Sequence, residues 1–122
     1  MANEITSSLY VNCTNGDFNE TFSKQNQKFD QAVLGGNKIV WTVGTSEESF
    51  TATDVATNGH CVLMNLDSTN YVDYGMNDGG TMKALGTIEA GEFAYFRMKS
   101  GVTLRAQANT ASVKLLVFLL ND

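Results

Sequence analysis

Residues 61–80 read CVLMNLDSTNYVDYGMNDGG, and this stretch predicts the fold. Two short apolar segments, 61–66 and 71–74, are separated by residues 67–70 and followed by residues 77–80. Asp favours the first position of a type I turn because its carboxylate accepts a local backbone N–H. Asp-Gly and Gly-Gly supply the positive φ that tight reversals need. We therefore expect a β-hairpin across residues 67–70 and a second reversal at residues 77–80.

The same pattern of short apolar segments and turn residues runs along the whole chain. The chain has 11 glycines and no proline, and no long window repeats apolar residues at helical spacing. Turn signals recur about every eight to twelve residues, which is typical of a β-sandwich or a small barrel. The sequence predicts an all-β fold: one antiparallel β-sandwich of jelly-roll-like form, or a small barrel, formed by residues 1–122 as a single domain.

Composition and charge exclude some classes of partner. The chain has 122 residues, 43% of them hydrophobic, and a formal net charge of −5. Binding to phosphates needs clustered Lys or Arg, and the 8 here are scattered, so no nucleic-acid partner is expected. The first residues lack the features of a signal peptide, and no apolar run could span a bilayer. We expect no membrane partner, and free thiols at Cys13 and Cys61 in a reducing cytosol.

Two segments depart from simple alternation. Residues 113–120 are apolar on both faces, as in a central sandwich strand with a covered back or a strand that meets another subunit, and both alternatives stay open. Residues 18–28 combine two phenylalanines with a polar stretch that fits an edge strand or an arm, and residues 1–8 are expected to form an N-terminal arm. The interface candidates are Phe18, Phe22, Leu116, Phe118 and Leu120.

Catalytic and metal-binding patterns are weak. His60 is the one histidine, and its neighbour Cys61 points to the opposite face of a strand, so we expect no dyad and a solvated turn position for His60. The carboxylates Asp67, Asp73 and Asp78 do not follow a calcium-loop spacing. Trp41 lies in an apolar strand segment, where core packing is expected. The sequence predicts no catalytic residue, no cofactor, no metal and no enzymatic activity.

The second half of the chain resembles small structural proteins of tailed bacteriophages. The likeness rests on residues 62–75 (VLMNLDSTNYVDYG), then 88–98 (IEAGEFAYFRM), then 104–111 (LRAQANTA), then the final apolar strand from Val113. In such proteins an Asn-Leu-Asp-x-Thr-Asn-Tyr-Val segment precedes an Ala-Gly-Glu turn and an Ala-x-Ala-Asn-Thr-Ala turn. The resemblance covers residues 60–122, about half of the chain.

This resemblance implies a virion structural protein made in the cytoplasm of a host bacterium. We expect a capsid decoration (cement) protein on the capsid exterior that binds neighbouring subunits of the major capsid protein as a homo-oligomer such as a trimer. The expected contacts are residues 2–8, residues 18–28 and the C-terminal strand. The alternatives are a tail or neck component of the same particle, and a carbohydrate-binding β-sandwich module that attaches to host glycans.

Overall fold

The structure, a computed structural model, describes residues 3–52 and 55–122, and their regular secondary structure is β-strand. The all-β prediction is confirmed. The strands are β1 (Ile5–Asn15), β2 (Phe18–Phe29), β3 (Gly36–Val43), β4 (Glu48–Ser49), β5 (Asn58–Asn65), β6 (Val72–Asp78), β7 (Thr81–Ile88), β8 (Phe93–Arg97), β9 (Leu104–Ala108) and β10 (Val113–Asn121).

The chain divides into two compact units. The hairpin unit, Met1–Ala32, contains β1 and β2, and the sandwich unit, Val33–Asp122, contains β3 to β10. The single-domain expectation for residues 1–122 stays a prediction. Of the arm expected at residues 1–8, residues 1 and 2 lie outside the described residues, and Ile5 already begins β1.

The sandwich unit has the connectivity of a jelly roll. One four-stranded sheet has the order β3-β10-β5-β8 and the other the order β4-β9-β6-β7, with every pairing antiparallel. The first strand of the unit pairs with the last, the second with the next to last, and so on inward to β6 and β7. This is the double-sheet arrangement of jelly rolls. The jelly-roll-like sandwich is confirmed, and the small-barrel alternative is wrong because neither sheet closes on itself.

The two sheets share one apolar core. Alternation along β10 turns one row of side chains inward, and Leu115 and Val117 are fully buried. Trp41 packs against this core and its ring centroid lies 5.3 Å from that of Phe50, as predicted. The remaining buried core residues come from both sheets: Val43, Phe50, Cys61, Leu63, Val72, Ile88, Met98, Leu104, Ala106, Ala108, Val113 and Leu119.

The hairpin predicted across residues 67–70 is wrong, because β5 and β6 lie in different sheets. These residues instead carry the chain from one sheet to the other. The turn chemistry itself is as predicted: the carboxylate of Asp67 accepts hydrogen bonds from the backbone N–H groups of Asn70 (2.6 Å) and Thr69 (2.9 Å). These two bonds lower the pKa of Asp67 from its ordinary value. The local sequence pattern therefore predicted the turn correctly, but it did not predict which strands pair with each other.

Buried Asn65 fixes this crossover. Its side-chain amide N–H₂ donates to the backbone carbonyls of Asn70 (2.9 Å) and Ile88 (3.0 Å), and its Oδ1 accepts from the backbone N–H of Asp67 (2.8 Å). One side chain thereby joins the end of β5, the crossover and the end of β7. A buried amide satisfied in this way stabilises the loop, and its loss would leave buried carbonyls without donors.

The reversal predicted at residues 77–80 is confirmed as the β6–β7 hairpin. Gly79 (φ 62°) and Gly80 (φ 94°) occupy the left-handed region that favours glycine. Gly75 lies at an irregularity of the same pair, where an added Cβ would clash with the carbonyl oxygen of Lys83. This close approach explains why a glycine interrupts an otherwise ordinary strand.

The end of β10 is held by Asn121. Its side-chain oxygen accepts from the backbone N–H groups of Ala56 (2.9 Å) and Thr57 (3.2 Å), and its amide N–H₂ donates to the carbonyl of Leu34 (3.0 Å). Asn121 is thus a buried polar residue at the end of a largely apolar strand. The last strand is therefore anchored by a side chain on the inward row of β10.

Two candidate interaction surfaces

The hairpin unit has one apolar face and one polar face. Residues directly opposite each other in the β1–β2 ladder share a face, as do residues two apart along a strand. The pairs Leu9–Lys24, Val11–Phe22, Cys13–Glu20 and Asn15–Phe18 therefore form one row of side chains. The opposite face carries the pairs Tyr10–Ser23, Asn12–Thr21 and Thr14–Asn19. Apolar side chains are concentrated on the first face, which we call the hairpin face.

A β-bulge keeps the phenylalanines of β2 together. Phe22 and Phe29 are separated by an odd number of positions, so a regular strand would place them on opposite faces. The register shifts between Ser7 and Leu9, where β2 carries one residue more than β1. Asn26 in this segment has φ 54° and donates its backbone N–H to Ser8 Oγ at 3.0 Å. The extra residue returns Phe29 to the hairpin face, alongside Phe22.

The hairpin face is exposed along most of its length. Phe18 is 57% exposed, Phe22 58% and Val11 54%, and Cys13 is also exposed. Burying a phenylalanine side chain stabilises by about 1.5–3 kcal/mol relative to leaving it in water. An exposed face that carries several large apolar side chains close together is typical of a binding surface.

The opposite, polar face is satisfied by its own side chains. Thr21 Oγ1 donates to Asn12 Oδ1 (2.7 Å), and Thr14 Oγ1 donates to Asn19 Oδ1 (3.2 Å). Nearer the base, Lys28 Nζ donates to Thr6 Oγ1 at 2.7 Å. Cross-strand polar pairs of this type suit a solvated surface. The two faces of the hairpin are therefore chemically distinct.

The sandwich unit carries a second apolar surface on the outer side of the β3-β10-β5-β8 sheet. Strand pairing places Val40, Leu116, Met64 and Phe93 side by side, one from each strand, in a row across the full sheet. Phe93 is 62% exposed and Val40 53%. We call this row, with the adjoining residues Val62, Leu66, Tyr95, Phe118 and Leu120, the sheet face.

A second row of the sheet face adds aromatic side chains. Phe118 lies between Lys38 on β3 and Val62 on β5, and Val62 pairs in turn with Tyr95 on β8. The Lys38 ammonium lies 6.0 Å from the centroid of the Phe118 ring, at the outer limit of a cation–π contact. Aromatic residues are enriched at protein interfaces relative to the rest of the protein surface.

The predicted interface residues fall on these two surfaces. Phe18 and Phe22 lie on the hairpin face, and Leu116, Phe118 and Leu120 lie on the sheet face. Each set is brought together within its own unit. The sequence did not single out Val11, Met64 or Phe93, because these residues join the surfaces only through strand pairing. Their roles as interface residues stay predictions.

His60 is not the solvated turn residue that the sequence predicted. It lies in β5, is buried, and its Nδ1 is 2.8 Å from the hydroxyl oxygen of Tyr95. Burial lowers the pKa of His60 from its ordinary 6.5, as does the cation of Arg97, and Asp122 opposes them. Arg97 also forms an ion pair with the Asp122 carboxylate. The sequence prediction failed because Asn58 and Gly59 are part of the strand and not a turn before it.

Two further features bear on the chemistry available to the chain. A cleft of about 350 Å³ opens beside β7 and β8, and Tyr74, Leu85, Phe96 and Met98 are among its largely apolar lining. Across residues 3–52 and 55–122, no three His, Cys, Asp or Glu side chains are grouped so that they could hold a metal ion. The same residues include no helix that is long and apolar enough to cross a membrane.

The geometry thus offers two exposed apolar surfaces, one on each unit, together with a core and crossovers that hold the sandwich sheets in register. Comparison with known proteins adds no relative to this description: no protein-family model, no curated protein and no solved structure matches this chain.

Proposed function

We propose that this chain is a non-catalytic structural protein of a tailed-phage virion, and specifically a capsid decoration protein that binds between subunits of the major capsid protein on the outside of the shell. The observation that carries the proposal is the sheet face, whose Val40–Leu116–Met64–Phe93 row crosses all four strands. Large exposed apolar patches mark protein-binding surfaces in proteins of this size.

The sheet face suits a broad, shape-based contact. It extends across four neighbouring strands of one sheet, and its outward side chains are mainly aliphatic and aromatic. Half-buried Leu116 sits between exposed Val40 and Met64, so a partner would cover a continuous apolar strip. Interfaces of this kind have aromatic and aliphatic residues at the centre and polar groups at the rim. Lys38 and Lys114 lie on the same face and would fall at such a rim.

Fold and charge support the proposal more generally. Jelly rolls are used by viral capsid proteins and also by lectins, so the fold alone does not decide between them. The net charge of −5 suits the outside of a capsid better than an interior lined with DNA. A protein that binds the assembled shell and not its separate subunits stabilises the shell by mass action, by about 2.7 kcal/mol at a concentration 100 times its Kd.

The first test is the copy number of this protein in purified virions, measured by quantitative mass spectrometry against the major capsid protein. A simple ratio to the capsid protein is the expected result. A few copies per particle would contradict decoration and move the protein to the tail or neck, and no copies at all would overturn the virion assignment.

A second test asks whether the sheet face makes the contact. The double variant Val40→Ser/Phe93→Ser removes both ends of the apolar row at exposed positions, so the sandwich should still fold. We expect the double variant to bind at least about tenfold more weakly to assembled phage capsids that lack the protein. Capsids mixed with the double variant should also rupture at a lower temperature than capsids mixed with the original protein. Leu85→Ser is the matched control, because Leu85 is 72% exposed and lies in the other sheet. Equal binding by the double variant and the control would contradict the assignment of the surface.

A further inference from the structure

We propose that the hairpin face binds the hairpin face of a second copy of this chain, with the two hairpins antiparallel and a two-fold axis passing beside Phe22. This inference is independent of the proposed function, because it uses the hairpin unit and not the sheet face. It is carried by three features of residues 5–29: the exposure of the hairpin face, the bulge at Asn26, and the placement of two opposite charges.

The first step concerns stability. A two-stranded hairpin without further packing is marginally stable in water. Here both strands are long, 11 and 12 residues, and every residue from Tyr10 to Asn26 is exposed. The polar face is already satisfied by its own hydrogen bonds, so any added stability must come from covering the apolar face.

The second step concerns which face of β2 carries the phenylalanines. The bulge at Asn26 places Phe29 on the same face as Phe18 and Phe22, although the odd spacing of Phe22 and Phe29 would put these two on opposite faces of a regular strand. A strand register is strongly specified where one face is to be buried. The bulge therefore indicates that the hairpin face is a binding surface and not an accident of composition.

The third step identifies the occupant. Glu20 and Lys24 lie on the hairpin face, two positions before and two positions after Phe22, about 7 Å from it on either side. A two-fold axis beside Phe22 brings each Glu20 opposite Lys24 of the second copy. The same rotation stacks Phe22 on its own counterpart. In a parallel arrangement each of these charges would instead face its like, which is unfavourable.

Such self-complementarity is the property of an isologous two-fold contact, in which one patch meets the same patch on the partner. Face-to-face packing is required because side-by-side pairing of strands would leave the apolar row exposed. On β1, Val11 pairs with Phe22 and would therefore stack on its own counterpart, and Cys13 would lie over Leu9 of the second copy. The thiol of Cys13, exposed in the single chain, becomes covered in the dimer.

Cys13 thereby provides a direct readout of the contact. The other thiol, Cys61, is buried, and burial raises its pKa to about 12, so it contributes little thiolate at neutral pH. Reaction of the intact 122-residue chain with an aromatic disulfide reagent should therefore report on Cys13. We expect its rate to fall at least about tenfold as protein concentration rises through the dimer Kd, in parallel with dimer formation measured by sedimentation equilibrium.

Charge reversal tests the register. Glu20→Lys alone or Lys24→Glu alone should each weaken the dimer at least about tenfold, because the two-fold axis creates two like-charge contacts from one substitution. The double variant Glu20→Lys/Lys24→Glu should restore the dimer to within about threefold of the original, since each pair is only inverted. An equimolar mixture of the two single variants should form a heterodimer that neither forms alone. Tyr10→Ser is the matched control, since Tyr10 is 63% exposed on the polar face.

Three results would overturn the proposal. The first is that the protein remains monomeric up to its solubility limit. The second is that Glu20→Lys/Lys24→Glu associates no better than either single variant. A dimer or trimer insensitive to both single charge variants would assign self-association to another surface, and Val40→Ser/Phe93→Ser would then show whether that surface is the sheet face. Unchanged far-ultraviolet circular dichroism and melting temperature in each variant would show that the sandwich is intact.

Discussion

The two units differ in what happens to the alternate side chains along their strands. In the sandwich unit, alternate residues of β10 meet the facing sheet, and Leu115 and Val117 are removed from water. In the hairpin unit, alternate residues of β2 such as Phe18 and Phe22 remain more than half exposed. A row of apolar side chains two positions apart therefore shows which face of a strand is suited to burial. It does not show whether another part of the same chain or a second molecule buries that face.

The largest expected difference between the units is in folding stability. Leu115→Ala creates a cavity in the shared core and should lower the free energy of unfolding by about 2–5 kcal/mol. Phe22→Ala removes a larger side chain from an exposed position and should change the unfolding of the sandwich by less than about 0.5 kcal/mol. Urea unfolding followed by Trp41 fluorescence reports on the sandwich, because Trp41 packs against that core.

Measurements at low protein concentration keep the hairpin variant monomeric and make the comparison fair. A loss of several kcal/mol in Phe22→Ala would show that the hairpin face is covered within the single chain. In that case both units would bury their apolar side chains within the single chain, and the contrast between them would not hold.

An intermediate effect is expected from replacing Val11 on the hairpin face with Ser. Val11 pairs with Phe22 and is 54% exposed in the single chain, so the substitution removes apolar surface from the proposed contact and leaves the sandwich core intact. Self-association should weaken at least about tenfold, while the melting temperature of the sandwich stays unchanged. Tyr10→Ser on the polar face is again the control. Equal dimerisation by the two variants would show that self-association does not depend on the hairpin face.

The smallest expected effect is a pH dependence confined to the sandwich unit. The pKa of folded His60 lies below its ordinary 6.5, chiefly because the side chain is buried. The unfolded chain then binds more protons as pH falls below 6.5, so the stabilising contribution of neutral His60 is complete above that pH and declines as pH falls through the folded pKa. Melting temperature should therefore decrease between pH 7 and pH 5 by more in the original protein than in His60→Gln.

The same measurement distinguishes the two units. The hairpin unit contains no histidine, so dimerisation measured through Cys13 should not follow the titration of His60. Parallel loss of dimer and melting temperature over this pH range would show that the units are coupled.

The strands and turns could largely be predicted from sequence because their signals are local. Asp67 caps its turn through neighbouring backbone N–H groups, and Gly79 and Gly80 supply the positive φ of the β6–β7 hairpin. Strand pairing could not be predicted in this way. The partner of β5 is β10 on one side and β8 on the other, and no local signal distinguishes these from β6.

The two buried amides, Asn65 and Asn121, show that burial of these polar residues could also have been predicted from the sequence. Asn65 continues the inward row of Cys61 and Leu63, and Asn121 continues that of Val117 and Leu119. Alternation alone placed both amides on the core side, where a polar residue must have internal partners. The odd spacing of Phe22 and Phe29 was a similar signal for the bulge. The actual hydrogen-bond partners, such as Ile88 for Asn65, depend on the three-dimensional arrangement and could not be read from the sequence.

The central position of β10 has a consequence for the order of folding. β10 lies between β3 and β5, so the first sheet of the sandwich cannot assemble until residues 113–121 have been synthesised. The β1–β2 hairpin needs only residues 5–29, and local hairpins form in about 1–10 μs, whereas sandwiches with distant pairings take milliseconds to seconds. During translation, nascent chains on neighbouring ribosomes of one messenger would display residues 5–29 before any sandwich exists, so the proposed pairing of hairpin faces could begin before the sandwich has folded.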